Sequence, residues 1–441
     1  MKKRFVLIVL DGFGIGEMDD VSALRPQDKG ANTALHIFEA LTNAGLQRPE
    51  LSFPTLASLG LGNAMLAAQP PSSTLQLTLP SAMSPAKHCC YGVHKLAHFG
   101  ADTFWGHQEL MGTKPRKGES GPILPKLPAI QEALKAAGHK VRFYAGENTD
   151  VHNDLPRPGT MPGVLIVDEA VTIGDNLETD LGDNYNVTAA LDLLSFEKVK
   201  EIGFIVRSLV HSSRVIVFGG RGVGLCNLLE AYESQTGFAG VNAPRSGVYR
   251  EGYEVLHLGF GVNAKVQVPA LLDRAGIPTV LIGKVADIVE NPCRFSGKSI
   301  PGVDTEEALM ETACTLDSLE HGFVCVNVQE TDLAGHRQDP RLYGETLSIA
   351  DRGIRKIMDK LCENDLMVVT ADHGNDPTIG HPQHTREKTP ILLWGQNLAS
   401  TGSVFLGERT TLADTGATVA HFFNASAPEA GSSYLGLLKQ K

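Results

Sequence analysis

The sequence predicts an α/β protein: a core whose central, mostly parallel sheet is flanked by helices, with a smaller α/β domain inserted into it. Two observations predict the layout. Short apolar, β-branched runs stop abruptly at an acid or an imidazole, as buried parallel strands do when they deliver groups to their carboxyl ends. The block 114–266 has strands and helices of its own but none of those acids or imidazoles, so it reads as an insertion between 1–113 and 267–441. A length of 441 residues exceeds what one hydrophobic core usually serves, which also favours two domains.

The first run, residues 5–10, ends at Asp11 and continues into Gly12, Gly14 and Gly16. These glycines imitate a dinucleotide fingerprint, but an acid at the strand end would repel a pyrophosphate unless a cation intervened. Asp11 is better explained as a hard oxygen ligand to a divalent metal. A polar, proline-rich surface stretch through Ser72-Ser73 carries no chemistry by itself.

Next comes Gly100-Ala101-Asp102-Thr103-Phe104-Trp105-Gly106-His107, a small-residue bend before a helical pattern. The Thr103 hydroxyl there is either a nucleophile whose phosphorylated form sits at a helix N-terminus or an ordinary N-cap.

In the insertion, strands are expected at 141–144, 163–167 and 214–218, and helices at 130–137 and 196–210. It carries a polar cluster at 175–180 and the arginines Arg214, Arg221, Arg245 and Arg250. One arginine alone is a solvated or paired side chain; several near one cleft suit a phosphate.

The core resumes with a helix and a strand at 279–282 that ends at Lys284, either a phosphate contact or a structural lysine. A run at 323–328 leads to Asp332 and His336, four apart, which a helical turn or a compact loop brings to one ion. An amphipathic helix over 343–361 returns the chain to the run ending in Thr370-Ala371-Asp372-His373-Gly374, with His381 and His384 beyond. Another strand is expected at 389–395 and a terminal helix from Asp414. Acids and imidazoles at this many strand ends describe a metal centre.

Composition excludes other classes. The formal charge of −11 leaves no basic excess for nucleic acid. The apolar run after Met1-Lys2-Lys3-Arg4 is too short for an export core or a membrane span. The seven cysteines, Cys293 among them, include no CxxC pair and read as reduced packing thiols in a cytoplasmic protein.

With these pieces in place, the chain resembles the phosphopentomutases of the alkaline-phosphatase superfamily. The resemblance rests on the Asp11 string, Asp102-Thr103 with Gly106-His107, Ile282-Gly283-Lys284, Gly335-His336-Arg337, and Thr370-Ala371-Asp372-His373-Gly374-Asn375-Asp376 with His384-Thr385-Arg386-Glu387. It implies an alkaline-phosphatase-like core with an inserted cap domain, one metal held by Asp11, Asp372, His373 and the Thr103 hydroxyl, and a second held by Asp332, His336 and His384. It further implies phosphorylation of Thr103, manganese as the usual ion with zinc or magnesium as alternatives, and a sugar bisphosphate as activator. The acid-to-histidine spacing at Asp332 is closer to cofactor-independent phosphoglycerate mutases, and the insertion diverges after Arg214-Val215-Ile216.

The activity expected is interconversion of ribose or deoxyribose 1-phosphate and 5-phosphate, with Lys284, Arg221, Arg245 and Arg250 as substrate contacts. The alternatives are a metal-dependent phosphatase, a mutase for another phosphorylated small molecule, and a metal-binding homologue without catalysis. No nucleic-acid or membrane partner is expected.

Overall fold

The computed structural model describes residues 2–43, 51–69, 79, 83–146, 161–178, 181–292, 297–398 and 402–439. Ser72, Ser73, Thr179, Asp180 and Cys293 lie outside them. The chain divides into two compact units, Met1–Pro115 with Asn263–Lys441, and Arg116–Val262.

Strands are numbered along the chain. The larger unit begins with β1 (Lys3–Leu10) and β2 (Cys90–His94). The inserted unit holds β3 (Val141–Tyr144), β4 (Val164–Val167), β5 (Val171–Asp175), β6 (Asn184–Ala190), β7 (Arg214–Gly220), β8 (Tyr232–Gln235), β9 (Phe238–Val241) and β10 (Glu254–Gly259). The larger unit resumes with β11 (Thr279–Ile282), β12 (Lys298–Ile300), β13 (His321–Val328), β14 (Leu366–Thr370), β15 (Thr389–Trp394) and β16 (Val404–Arg409).

The larger unit's sheet has the order β12-β11-β13-β1-β14-β15-β2-β16. From β12 to β14 all pairs are parallel; β15 runs antiparallel to both β14 and β2, and β16 is parallel to β2. Period-2 alternation along β1 explains its unbroken apolar run. Val6, Ile8 and Leu10 enter the core on one face, and Phe5, Leu7 and Val9 the core on the other. Each such buried side chain stabilises the fold by roughly 1.5–3 kcal/mol, and the strand's buried charge, Arg4, is paired with Asp365.

The helix Pro340–Met358 packs on the first core through Tyr343, Leu347, Ala350, Ile354 and Ile357, spaced three and four apart. It begins before the expected 343 because Asp339 caps the N–H groups of Arg341 and Leu342 and Pro340 occupies the first helical position.

In the inserted unit the sheet order is β10-β7-β6-β5-β4-β3, with β6 and β7 parallel and the other pairs antiparallel. Helices Leu127–Ala136 and Phe196–Leu209 cover it with Ile130, Leu134, Val199, Ile202 and Val206. No helix among the described residues is long and apolar enough to cross a membrane.

Candidate metal centre and nucleophile

Three adjacent parallel strands end at one edge of the larger sheet. Leu10 of β1 pairs with Val328 of β13, and Val9 with Thr370 of β14. The register therefore brings Asp11, the helix Glu330–His336 and Asp372 to the same edge. Asp332 and His336 lie one turn apart on that helix, which decides between the helical turn and the loop. Two groups of ligand atoms result, Asp11 with Asp372 and His373, and Asp332 with His336 and His384; within each, all atoms lie within 4.8 Å of one another.

Hydrogen bonding fixes which imidazole nitrogen faces each group. Nδ1 of His336 lies 2.7 Å from the Pro382 carbonyl, Nδ1 of His384 2.8 Å from that of Ala101, and Nδ1 of His373 2.9 Å from that of Gly374. A carbonyl only accepts, so each Nδ1 donates and each Nε2 is the nitrogen turned toward the ligand group, the arrangement that metal-ligating histidines use. The Nε2 atoms of His336 and His384 then face each other at 3.0 Å and lie 3.4 and 3.3 Å from the Asp332 carboxylate. Nε2 of His373 is buried without a hydrogen-bond partner, 3.3 Å from both Asp11 and Asp372. Acceptors so converged repel one another unless a cation stands among them, so the donor set fits two divalent ions.

The protein's own cations partly balance these acids. Nζ of Lys284, just beyond β11, lies 3.0 Å from Asp11 Oδ2 and 3.4 Å from Asp332 Oδ2. The lysine thus stands between the two groups, its charge engaged by their carboxylates. Burial opposes ionisation of Asp332, yet His384, Lys284 and His336 hold it well below the ordinary carboxylate range. Burial would likewise lower His373, but Asp372, Asp11 and Asp332 push it up to about 10.

Thr103 opens the helix Thr103–Leu110. The N-cap is Asp102, whose side chain accepts from the Trp105 N–H, so the Thr103 hydroxyl is not spent on capping. It donates to Asp372 Oδ2 at 2.8 Å and lies 3.4 Å from Asp11 Oδ1. Gly106 permits that approach: a Cβ there would lie 2.6 Å from the Asp372 carbonyl oxygen and 2.7 Å from its Cβ.

Around these residues stand others to which sequence reasoning gave no role. Asn327 donates to Asp11 at 2.8 Å, Asn375 to Asp332 at 2.8 Å, and Thr331 to the Asp11 carbonyl at 2.7 Å. Glu387 ties the two ligand-bearing loops together, accepting from the hydroxyls of Thr33 and Thr385 at 2.6 Å and from the Gly16 N–H at 3.2 Å. Burial beside Asp376 pushes its carboxyl up to about 7. A Cβ on Gly14 would lie 2.2 Å from Glu387 Oε2, which gives the glycine string a packing reason in place of a nucleotide. Gly16, Asn375, Thr385 and Glu387 sat inside the quoted strings; Asn327, Thr331 and Thr33 carry no local signal, because only the tertiary fold brings them here.

In the inserted unit, Arg245 is held by Glu233 at 2.8 Å and by the carbonyls of Glu230 and Tyr232. Arg221 lies 3.7 Å from Asp192 and 4.0 Å from Glu254, and the exposed Arg250 bonds the Gly247 carbonyl through its backbone N–H. Within the 175–180 cluster, buried Asp175 accepts from the N–H groups of Ile123 and Ala239, a structural tie between segments.

The chain matches the metalloenzyme superfamily over residues 3–427. It is 28% identical over 453 residues to the phosphopentomutase of Caldanaerobacter subterraneus subsp. tengcongensis, covering 100% of this chain and 99% of that one. It is 30% identical over 446 residues to the phosphopentomutase of Acetivibrio thermocellus, covering 98% and 99%. Among solved structures it is similar to Leishmania mexicana phosphoglycerate mutase, 13% identical with a TM-score of 0.42 over 98% of this chain and 97% of that one. The chain belongs to the metalloenzyme superfamily, and over its whole length it is similar to phosphopentomutases.

Proposed function

We propose that this chain is a phosphosugar mutase that interconverts ribose or deoxyribose 1-phosphate and 5-phosphate through a phosphothreonine at Thr103. The observation that carries the reading is the Thr103 hydroxyl, free of capping duty and 2.8 Å from Asp372, beside two three-ligand groups. The full-length similarity to proteins named phosphopentomutase supports the substrate class.

In this reading Asp11, Asp372, His373 and the Thr103 hydroxyl would hold one ion, and Asp332, His336 and His384 the other, with manganese in both. Ions held there would supply positive charge to a transferring phosphoryl group. The rest falls to the chain. Phosphothreonine at position 103 sits at a helix N-terminus, where first-turn N–H groups and the helix dipole favour its charge. Its phosphoryl group passes to the free hydroxyl of the bound sugar monophosphate, giving a bisphosphate and restoring Thr103. The sugar then turns over, and its other phosphoryl group returns to Thr103 as the isomeric monophosphate leaves. Sugar bisphosphate therefore primes the unphosphorylated protein.

Recognition of the sugar is assigned to the inserted unit, with Arg221 and Arg250 as its phosphate-binding candidates and Arg245 held in place by Glu233. Lys284 contributes positive charge from the larger unit. The setting is cytoplasmic, with small phosphosugars as partners. Incubation with ribose 1,5-bisphosphate and Mn²⁺, then peptide mass mapping, tests the nucleophile: the phosphate is expected on Thr103. Phosphate on another residue, or on none, would overturn the assignment.

A further inference from the structure

His107 lies one turn beyond Thr103 on the same helix and is fully buried. Its Nδ1 is 2.9 Å from the Thr103 carbonyl oxygen and 3.1 Å from Asp372 Oδ2. Both neighbours are acceptors, so Nδ1 carries the proton and is shared between them. Asp372 Oδ2 is also the atom that accepts the Thr103 hydroxyl at 2.8 Å, and the hydroxyl itself is 3.5 Å from His107 Nδ1. One imidazole edge thus contacts the backbone of the nucleophile and the very carboxylate oxygen its hydroxyl uses.

The other edge does nothing comparable. Nε2 of His107 is buried with no hydrogen-bond partner among the described residues. Burying an unpaired ring nitrogen carries a penalty that an apolar residue of similar size would avoid. Packing therefore does not explain a histidine here, whereas the Nδ1 contacts do.

We infer that His107 is a positioning residue for the reaction: its Nδ1–H fixes the Asp372 carboxylate relative to Thr103, and so sets both the nucleophile's geometry and the ion site that Asp372 belongs to. This rests on the roles proposed above for Thr103 and Asp372. A displacement of about 1 Å at such a pair costs on the order of 100-fold in rate without contact to substrate.

Two substitutions separate the edges of the ring. The amide nitrogen of His107→Asn takes the place of Nδ1, whereas that of His107→Gln takes the place of Nε2. Each is measured for melting temperature, for Mn²⁺ affinity by calorimetry, and for kcat and KM on ribose 1-phosphate. The expected result is a folded Gln variant with kcat down about 100-fold, KM little changed, and Mn²⁺ affinity at one of two sites down about 10–100-fold. The Asn variant should recover most of both losses. Equal losses in the two variants, no loss in either, or failure of the Gln variant to fold would overturn the inference, since each leaves His107 a packing residue or an idle one. Thr103→Ala run in parallel keeps the two readings apart: activity there defeats the proposed nucleophile, whereas an inactive Thr103→Ala beside an unaffected His107→Gln defeats only the role of His107.

Discussion

His336 and His384 bring their Nε2 atoms to 3.0 Å from each other, with both Nδ1 protons committed to backbone carbonyls. Two ring nitrogens at that distance, facing a carboxylate, define where an ion belongs. Protein prepared without chelators should therefore carry two divalent ions per chain. His384→Ala or Asp332→Asn should reduce this to one and weaken that site at least about 10-fold. Elemental analysis reads the stoichiometry, and two ions retained in either variant would remove Asp332 and His384 from the ligand set.

Asp102 and Thr103 divide cap from chemistry. Replacing the cap, Asp102→Ala, should lower stability by about 0.5–2 kcal/mol, because the Trp105 N–H loses its acceptor. Thr103→Ala should leave the denaturation midpoint nearly unchanged, since alanine suits a helical position, and should abolish turnover. Urea titrations with activity assays on both variants check this; a Thr103→Ala protein as destabilised as the Asp102 variant would make the hydroxyl structural.

Much of this arrangement was legible in the sequence, and the reason is local. Asp11, Asp332 and Asp372 each end or closely follow an apolar strand run, and parallel neighbours put such ends side by side. The strand directions beyond β14 were not legible, because β15 reads as the same buried apolar run whether parallel or antiparallel. Nor was the cap assignment, since aspartate and threonine in succession are both good caps and the backbone decides between them. Asn327 and Thr331 escaped notice for a third reason: their roles depend on which strand lies beside β1, a long-range fact that no sequence window contains.

Gly106→Ala should damage both stability and activity. The new Cβ meets backbone and side-chain atoms of Asp372 below 3 Å, an overpacking cost of roughly 1–3 kcal/mol. Relief requires the helix to retreat from Asp372, which pulls the Thr103 hydroxyl away. Thermal melts and kcat should fall together, and a variant with normal kcat would show that the close approach is not needed for the reaction.

His36 and Asp376 supply a pH dependence outside the ligand groups. His36 Nδ1 lies 2.5 Å from Asp376 Oδ2. That hydrogen bond raises His36 above its ordinary 6.5; burial opposes ionisation of Asp376, but the same partner brings it below 3.8. A raised histidine stabilises fully below its unfolded value and loses that contribution as pH rises through the folded one. A lowered aspartate stabilises above its unfolded value and loses it as pH falls through the folded one. Both shifts describe one interaction, so its full contribution lies between about pH 4 and 6.5 and fades at higher pH. The melting-temperature deficit of His36→Gln relative to wild type should shrink as pH rises from 6 to 9; a constant deficit would mean the pair contributes by packing alone.

The most direct test of the proposed reaction is the fate of one phosphate. Ribose 1-phosphate is supplied with Mn²⁺ and a catalytic amount of ribose 1,5-bisphosphate, and aliquots stripped of Mn²⁺ on a chelating resin are followed by ³¹P NMR. The mutase reading predicts ribose 5-phosphate growing to equilibrium with little inorganic phosphate, and no conversion by Thr103→Ala. Rapid release of inorganic phosphate without ribose 5-phosphate would contradict it, because water and not a sugar hydroxyl would then be the acceptor.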